Sequence, residues 1–225
     1  MLVLVVDSST PAVTAALVEV SADGVAARAL RCTVDARAHG ELLAPQVDAV
    51  LADVDARPRD LAAIVAGLGP GPFTGLRVGL VTAATMGQVL GVPTYGVCSL
   101  DGLGHPVAAG EPVLVASDAR RKEVYWAVYD GAGERIAGPN VDSPAVAAER
   151  ARDLRVTSAV GDGAQKYADV LGLPVRVEPR YPDATALAVL AAERIRSGAP
   201  SEALTPLYLR RPDAVAATAR KPVLP

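Results

Sequence analysis

The order of apolar segments restricts the fold of this chain most strongly, because it is the same in both halves. In the first half, short β-branched runs predict strands, and Asp23-Gly24 makes a hairpin turn. Leu43, Val47, Val50 and Leu51 then mark one helical face. Proline is tolerated in a first helical turn, so Pro45 predicts that this helix begins near Leu43. The predicted strands of this half are 2–6, 14–20, 25–34, 61–66 and 93–97, and its second predicted helix is 74–90.

The second half repeats this order. Its predicted strands are 113–116, 123–129, a short one near Ile136 and 156–160, and its predicted helices are 144–152, 164–171 and 183–197. Two β-β-β-α-β-α units predict an α/β, two-lobed actin, Hsp70 and sugar-kinase-like (ribonuclease H-like) fold, in which nucleotide binds between the lobes. We predict one lobe over 1–105, joined by the segment 206–225, and a smaller one over 106–205. The segment 210–225 has no periodicity and is predicted to be extended or partly disordered.

Charge and cysteine usage exclude several classes of protein. The net charge of −3 argues against a chain that binds nucleic acid unaided. Cys32 and Cys98 form no C-x-x-C pair, so redox and zinc-ribbon motifs have no support. The N-terminal apolar run is short and is ended by Asp7, which argues against a signal peptide. We therefore expect a cytoplasmic protein that does not enter a membrane.

The segment 67–79, GLGPGPFTGLRVG, lies between a predicted strand and a predicted helix, where phosphate loops occur. It matches neither the Walker A pattern nor G-x-G-x-x-G. Thr74 is predicted to cap the helix that follows. Glycine or alanine then recurs at every fourth position, at Gly75, Gly79, Ala83 and Gly87, and these residues form a stripe of the helix with almost no side chains, here called the bare stripe. Such a stripe allows close backbone approach, either inside this domain or to a second subunit.

These residues carry a resemblance to a known family. GPGPFTGLRVG resembles the GPGSFTGLRIG signature of the TsaB (YeaZ) family, with Pro72 in place of serine. Further pieces match in order across residues 2 to about 211, and Gly40 and Arg121-Lys122 depart from the usual residues. The matching pieces are LVVDSST at 4–10, HGELL at 39–43, Ser99-Leu100, Asp118-Ala119-Arg120, Glu123-Val124-Tyr125, Gly161-Asp162-Gly163 and PLYLR at 206–210.

The resemblance implies a role in forming threonylcarbamoyladenosine at position 37 of ANN-decoding tRNAs. It implies a non-catalytic partner of the transferase TsaD, with the ATPase TsaE in a larger complex, indirect contact with tRNA, and a homodimer when alone. It also implies that helices of about 39–51 and 74–90 form the partner interface, which favours the second-subunit interpretation of the stripe. The expected interface residues are His39, Glu41, Leu42, Pro45, Thr74, Gly75, Arg77, Val78, Gly79, Thr82, Ala83, Met86 and Gly87.

The residues that carry chemistry also favour a chain without its own catalytic or metal site. The two histidines, His39 and His105, lack metal-ligand spacing, which leaves a metallopeptidase without support. His39 and Glu41 form an acid–base pair or, alternatively, mark a helix start or interface. Arg120, Arg121 and Lys122 form a solvated loop or contact tRNA phosphates.

A degenerate nucleotide cleft is expected after the first strand and after the strand at 156–160. Its candidate residues are Asp7, Ser8, Ser9, Thr10, Gly161, Asp162 and Gly163, the last three lining the cleft or only turning the chain. We expect no cofactor of the chain's own, with ATP or ADP at the partner interface. The alternative function is an actin-like ATPase or phosphotransferase with a degenerate phosphate loop.

Overall fold

We describe the fold from a computed structural model, which describes residues 1–107 and 110–210. The segment predicted to be extended or partly disordered lies outside these residues from position 211 onward. The described chain forms two β-sheets with helices packed against them.

The first sheet has five strands in the order β3-β2-β1-β4-β5. These strands are β1 (Leu2–Asp7), β2 (Ala12–Val20), β3 (Val25–Val34), β4 (Leu61–Gly67) and β5 (Thr94–Val97). β1 is antiparallel to β2 and parallel to β4, and both β1 and β4 are almost entirely buried. Continuous apolar runs suit such central positions. β3, which carries several exposed polar side chains, forms one edge.

Three helices cover the two faces of this sheet. They are α1 (His39–Asp53), α2 (Phe73–Leu90) and α7 (Ala184–Arg196). α1 and α2 lie side by side on one face and share a core with Leu4, Val6 and Leu17. α7 packs on the other face, against Val3 and Val5. Both faces of the sheet are therefore covered, as the apolar pattern of its central strands requires.

The second sheet has four strands in the order β8-β7-β6-β9. They are β6 (Val113–Asp118), β7 (Val124–Tyr129), β8 (Arg135–Asp142) and β9 (Ser158–Val160). The pairing directions repeat those of β3-β2-β1-β4, antiparallel twice and then parallel. This repetition confirms the predicted duplication and the two-lobed actin-like, ribonuclease H-like fold.

Shorter helices complete the structure. They are α3 (Asp101–Gly104), α4 (Pro144–Asp153), α5 (Asp162–Lys166) and α6 (Ala168–Leu171). α4, α5 and α6 pack on one side of the second sheet. The other side is covered by the segment after β5, α3 and the described end of the chain, including Leu207 and Leu209.

α7 belongs to the second half of the sequence but packs on the sheet formed by the first half, which the sequence did not indicate. We predicted its residues within the second lobe, whereas its buried face packs on the first sheet. The pattern of α7 shows an apolar face but not which sheet buries it. The predicted division at residue 105 remains a prediction for the other elements.

The starts of α1 and α2 also differ from expectation. α1 begins at His39, so Pro45 lies in its second turn instead of its first. Because Pro45 has no backbone N–H, the carbonyl of Glu41, four residues earlier, has no donor within the helix. Both residues are exposed, so water can donate a hydrogen bond to that carbonyl. α2 begins at Phe73 with Pro72 before it, so Thr74 lies inside the helix and is not its cap. Pro72, with φ −59° and ψ 132°, is the non-helical residue from which this helix starts.

The turn after β1 fixes the position of α2. Ser8 Oγ donates a hydrogen bond to the Gly75 carbonyl at 2.8 Å and accepts one from the Gly79 N–H at 2.9 Å. These two backbone groups are one helical turn apart, so a single hydroxyl bridges a turn of α2. A Cβ at Gly79 would lie 2.5 Å from Ser8 Oγ. Glycine at position 79 is therefore required for this contact.

We predict that Gly79→Ala destabilises the protein by about 1–3 kcal/mol, because the added methyl group displaces Ser8 and its buried hydrogen bonds. Urea unfolding followed by circular dichroism measures this change. Gly40→Ala is the matched control, since a Cβ at Gly40 in α1 meets nothing within 4 Å. The control is expected to stabilise by about 0.5–1 kcal/mol. Equal effects of the two substitutions would contradict the assigned contact.

Candidate functional site

A cavity of about 470 Å³ lies between the loop after β1, the first turn of α2 and the loop after β6. Strand ends of α/β sheets are the usual place for ligand sites. The residues lining the cavity are Thr10, Pro11, Ala36, His39, Pro72, Phe73, Thr74, Gly75, Asp118 and Arg120.

Asp7, the strand-end carboxylate, is turned away from this cavity and enclosed by the protein. Its Oδ1 accepts hydrogen bonds from the Ser9 N–H at 2.9 Å and the Ser9 hydroxyl at 2.7 Å. Its Oδ2 accepts a hydrogen bond from the Ser99 hydroxyl at 2.5 Å, and a Cβ at Gly67 would lie 1.7 Å from the same oxygen. Burial raises the pKa of Asp7 above its ordinary value of 3.8, although the hydrogen bonds from Ser99 and Ser9 act in the opposite direction.

The residues after Asp7 are mostly engaged in the same way. Ser8 bonds to α2 and Ser9 to Asp7, and both are buried. Thr10 lines the cavity, and its carbonyl lies 2.8 Å from His39 Nε2. His39 is buried, and its side chain points back to the β1 loop while Glu41 is exposed. The two side chains therefore do not form an acid–base pair.

The predicted turn Gly161-Asp162-Gly163 buttresses the end of β6 and does not line the cavity. Asp162 Oδ1 accepts a hydrogen bond from the Asp118 N–H at 3.2 Å. A Cβ at Gly163 would lie 2.6 Å from the Ser117 carbonyl carbon, so the chains touch closely here. Burial raises the pKa of Asp162. Of the seven predicted cleft residues, only Thr10 lines this cavity.

The bare stripe of α2 is packed inside this chain. Gly75, Gly79, Ala83 and Gly87 are all buried. A Cβ at Gly75 would approach His39 Nε2 to 3.0 Å, and one at Gly87 would approach Thr94 Cγ2 to 2.4 Å. The expectation that these four residues form a contact with a partner is therefore corrected, because internal packing accounts for the stripe. Of the other expected interface residues, His39 is buried, four are partly buried and four are exposed. The partly buried ones are Leu42, Val78, Thr82 and Met86, and the exposed ones are Glu41, Pro45, Thr74 and Arg77.

The exposed side of α2 carries an apolar surface that the sequence analysis did not single out. This α2 face consists of Phe73, Val81, Ala84 and Val89, with exposed fractions of 45% for Phe73, 62% for Val81 and 78% for Val89. A groove of about 480 Å³ separates Val81 and Ala84 from Leu204, Pro206 and Tyr208. The sequence feature that could have indicated this surface is Phe73, the single phenylalanine of the chain, which lies at the start of a helix.

An aromatic and cationic stack covers the first turn of α2. The rings of Phe73 and Tyr208 stack with centroids 5.2 Å apart, and Arg77 Cζ lies 3.6 Å from the Phe73 centroid. Arg77 Nε also donates a hydrogen bond to the Tyr208 hydroxyl at 2.8 Å. Leu207 N–H bonds to the Leu68 carbonyl, which ties this end of the chain to the first sheet.

Neither a metal cluster nor a membrane helix emerges from the described residues. Across 1–107 and 110–210, no three His, Cys, Asp or Glu side chains are grouped so that they could hold a metal ion. Over the same ranges, every helix is too short or too polar to cross a bilayer.

The raised pKa of Asp7 predicts a pH-dependent stability. Between pH 3.8 and that raised pKa, the folded state holds a proton that the unfolded state has lost. The contribution of Asp7 to the free energy of unfolding therefore falls as pH rises through this interval, and it stays low above it. Asp7→Asn removes this contribution, so the stability of the variant relative to the wild type is expected to rise with pH. Urea unfolding at a series of pH values from 4 to 8 measures the difference.

The control for this prediction is Asp23→Asn, which removes an exposed carboxylate from the β2–β3 turn. Its stability difference from the wild type is expected to change little with pH. If the stability difference between Asp7→Asn and the wild type also changes little with pH, burial does not raise the pKa of this carboxylate.

Comparison with known proteins places the chain in a family. The family model described as TsaD, tRNA N6-adenosine threonylcarbamoyltransferase, matches residues 33–218. The tRNA threonylcarbamoyladenosine biosynthesis protein TsaB of Escherichia coli is 31% identical over 190 residues, covering 77% of this chain and 81% of the relative. An uncharacterized protein of Mycobacterium leprae is 46% identical over 219 residues, which is 97% of this chain but 57% of that relative's length.

A solved structure agrees with these sequence matches. The protein YeaZ of Pseudomonas aeruginosa superposes with a TM-score of 0.71 and 25% identity, covering 92% of this chain and all of that one (100%). The signature over residues 69–79, the family model and the TsaB relative all point the same way. The chain therefore belongs to the TsaB (YeaZ) family of tRNA threonylcarbamoyladenosine biosynthesis proteins.

Proposed function

We propose that this chain is a non-catalytic scaffold subunit that binds the transferase TsaD. TsaD would transfer the threonylcarbamoyl group to adenosine 37 of ANN-decoding tRNAs, and the ATPase TsaE would join the larger complex. Membership of the TsaB family and the role of the E. coli relative in tRNA threonylcarbamoyladenosine biosynthesis support the pathway.

The α2 face is the observation that carries this proposal. Its apolar side chains are exposed along an 18-residue helix, next to the groove bordered by Tyr208. Exposed apolar surface beside a groove is typical of protein-binding sites. The exposed side of α1, which lies beside α2, would extend the contact through Glu41 and Pro45.

The internal packing of α2 supports a scaffolding role. Ser8 bridges one turn of the helix, and His39 and Thr94 contact its glycines. The helix is thus held in place before a partner arrives, which lowers the entropy lost on binding. The stripe acts on the interface indirectly, by fixing the helix that carries the α2 face.

Two of the groups that could perform chemistry, Asp7 and His39, are engaged inside the fold. Both oxygens of Asp7 accept hydrogen bonds, and His39 bonds to the Thr10 carbonyl. This geometry gives less support to the alternative of an ATPase or phosphotransferase, since the strand-end carboxylate does not face the cavity. We place ATP or ADP of the complex at the contact with TsaD, beside the first turn of α2.

We also propose that two copies of the chain pair through the α2 face when TsaD is absent. A surface that binds a paralogous partner can pair with itself in a two-fold arrangement. The homodimer and the complex with TsaD would then compete for the same residues.

We predict that Val81→Glu weakens the association with TsaD by about tenfold or more, because it buries an unpaired carboxylate in an apolar contact. Isothermal titration with purified TsaD measures the affinity, and threonylcarbamoyl transfer to tRNA measures the consequence. Transfer is expected to fall with the loss of the complex.

Val189→Glu is the matched control, since Val189 is an exposed valine on α7, on the opposite face of the first sheet. It makes the same chemical change in a helix and is expected to leave binding and transfer unaltered. Equal binding by both folded variants would remove the α2 face as the interface. Transfer that proceeds equally well without this chain would overturn the proposed function itself.

A further inference from the structure

The loop between β6 and β7 has an unusual backbone. Its three residues Arg120, Arg121 and Lys122, here called the basic loop, have φ angles of 60°, 53° and 61°. Each non-glycine residue in this left-handed region costs about 1–2 kcal/mol. All three residues are basic and exposed. A strained conformation of this kind is typical of sites where the backbone positions side chains for a ligand.

Asp118 and Glu123 hold the basic loop in this conformation. Asp118 Oδ1 accepts a hydrogen bond from the Arg120 N–H at 3.2 Å. Backbone bonds from Ala119 N–H to the Glu123 carbonyl and from Glu123 N–H to the Arg120 carbonyl close the loop at 3.0 and 2.9 Å. The loop is therefore defined at both ends, and its three residues are exposed on a fixed turn.

The acidic residues beside the loop are already paired with other cations. Asp118 Oδ2 forms an ion pair with Lys166 at 2.8 Å, and Glu123 forms one with Arg210. Among the residues the structure describes, neither Arg120 nor Lys122 has an ion-pair partner. The loop thus keeps positive charge on a chain whose net charge is −3.

The basic loop borders the cavity at the start of α2. Arg120 and Asp118 line the same cavity as Phe73 and Thr74. The loop therefore lies close to the α2 face, through which the proposed partner binds. A polyanion held by that partner beside the first turn of α2 would lie within reach of the loop.

We propose that the basic loop contacts the phosphodiester backbone of the tRNA while the tRNA is bound to the complex with TsaD. This inference rests on the proposed function and deepens it, since the resemblance implied only indirect contact with tRNA. Such contacts position an RNA and read no sequence, and they make binding depend on salt. The acidic chain alone would not hold tRNA, whereas the loop would add to the affinity of the complex.

The test compares two double variants in the assembled complex. Arg120→Gln with Lys122→Gln removes two charges from the basic loop. Arg59→Gln with Arg155→Gln is the matched control, because both arginines are exposed and precede β4 and β9, at the ends opposite the cavity. Arg155 has a φ of 54°, so the control also includes a left-handed position. The affinity for an unmodified tRNA transcript is measured at several salt concentrations from 50 to 200 mM.

For the loop variant, the slope of log affinity against log salt is expected to become shallower by about one to two, and the affinity at 50 mM salt to fall about tenfold. The control is expected to match the wild type. Equal slopes for the two variants overturn the inference while the proposed function stands. Loss of ADP binding with an unchanged tRNA slope also overturns it, since the loop would then hold a small phosphate ligand. Failure of the wild-type chain to join TsaD overturns both proposals.

Discussion

The buried turn after β1 is the contact on which the rest of the structure depends. Ser8 bridges a turn of α2, and Asp7 joins Ser9 to Ser99 in the segment after β5. Each of these polar groups would cost about 1–3 kcal/mol if it were left buried without a partner. The turn therefore fixes α2 against the first sheet, and with it the position of the exposed α2 face.

This turn also changes what the cleft can do. The fold places a carboxylate at the end of β1, close to a cavity between the two sheets. Here the carboxylate faces the interior, where burial raises its pKa and three hydrogen bonds hold it. A fold that serves many chemistries thus keeps its architecture while the residues at the strand end are used for stability. The surfaces on which our proposals rest begin at the rim of the cavity.

Three such surfaces lie together around the first turn of α2. The α2 face offers apolar side chains, the stack of Phe73, Arg77 and Tyr208 covers the start of the helix, and the basic loop borders the cavity. Their proximity links the two proposals physically. A partner on the α2 face would bring its RNA close to the positive charge of the loop, and neither contact requires catalytic groups from this chain.

The sequence by itself determined the strands, most of the helices and the duplicated order, because these follow from apolar periodicity over a few residues and from turns such as Asp23-Gly24. It also supplied the family signature at residues 69–79. Periodicity could not show which sheet buries α7, or that Gly79 packs on Ser8, since those contacts join residues far apart in the chain. For the same reason the sequence left open whether the glycine stripe packs inside the domain or against a second subunit, the family resemblance favoured the second subunit, and Phe73 was missed. Only the tertiary structure decided which side of α2 is buried, because burial depends on what the rest of the chain places against the helix.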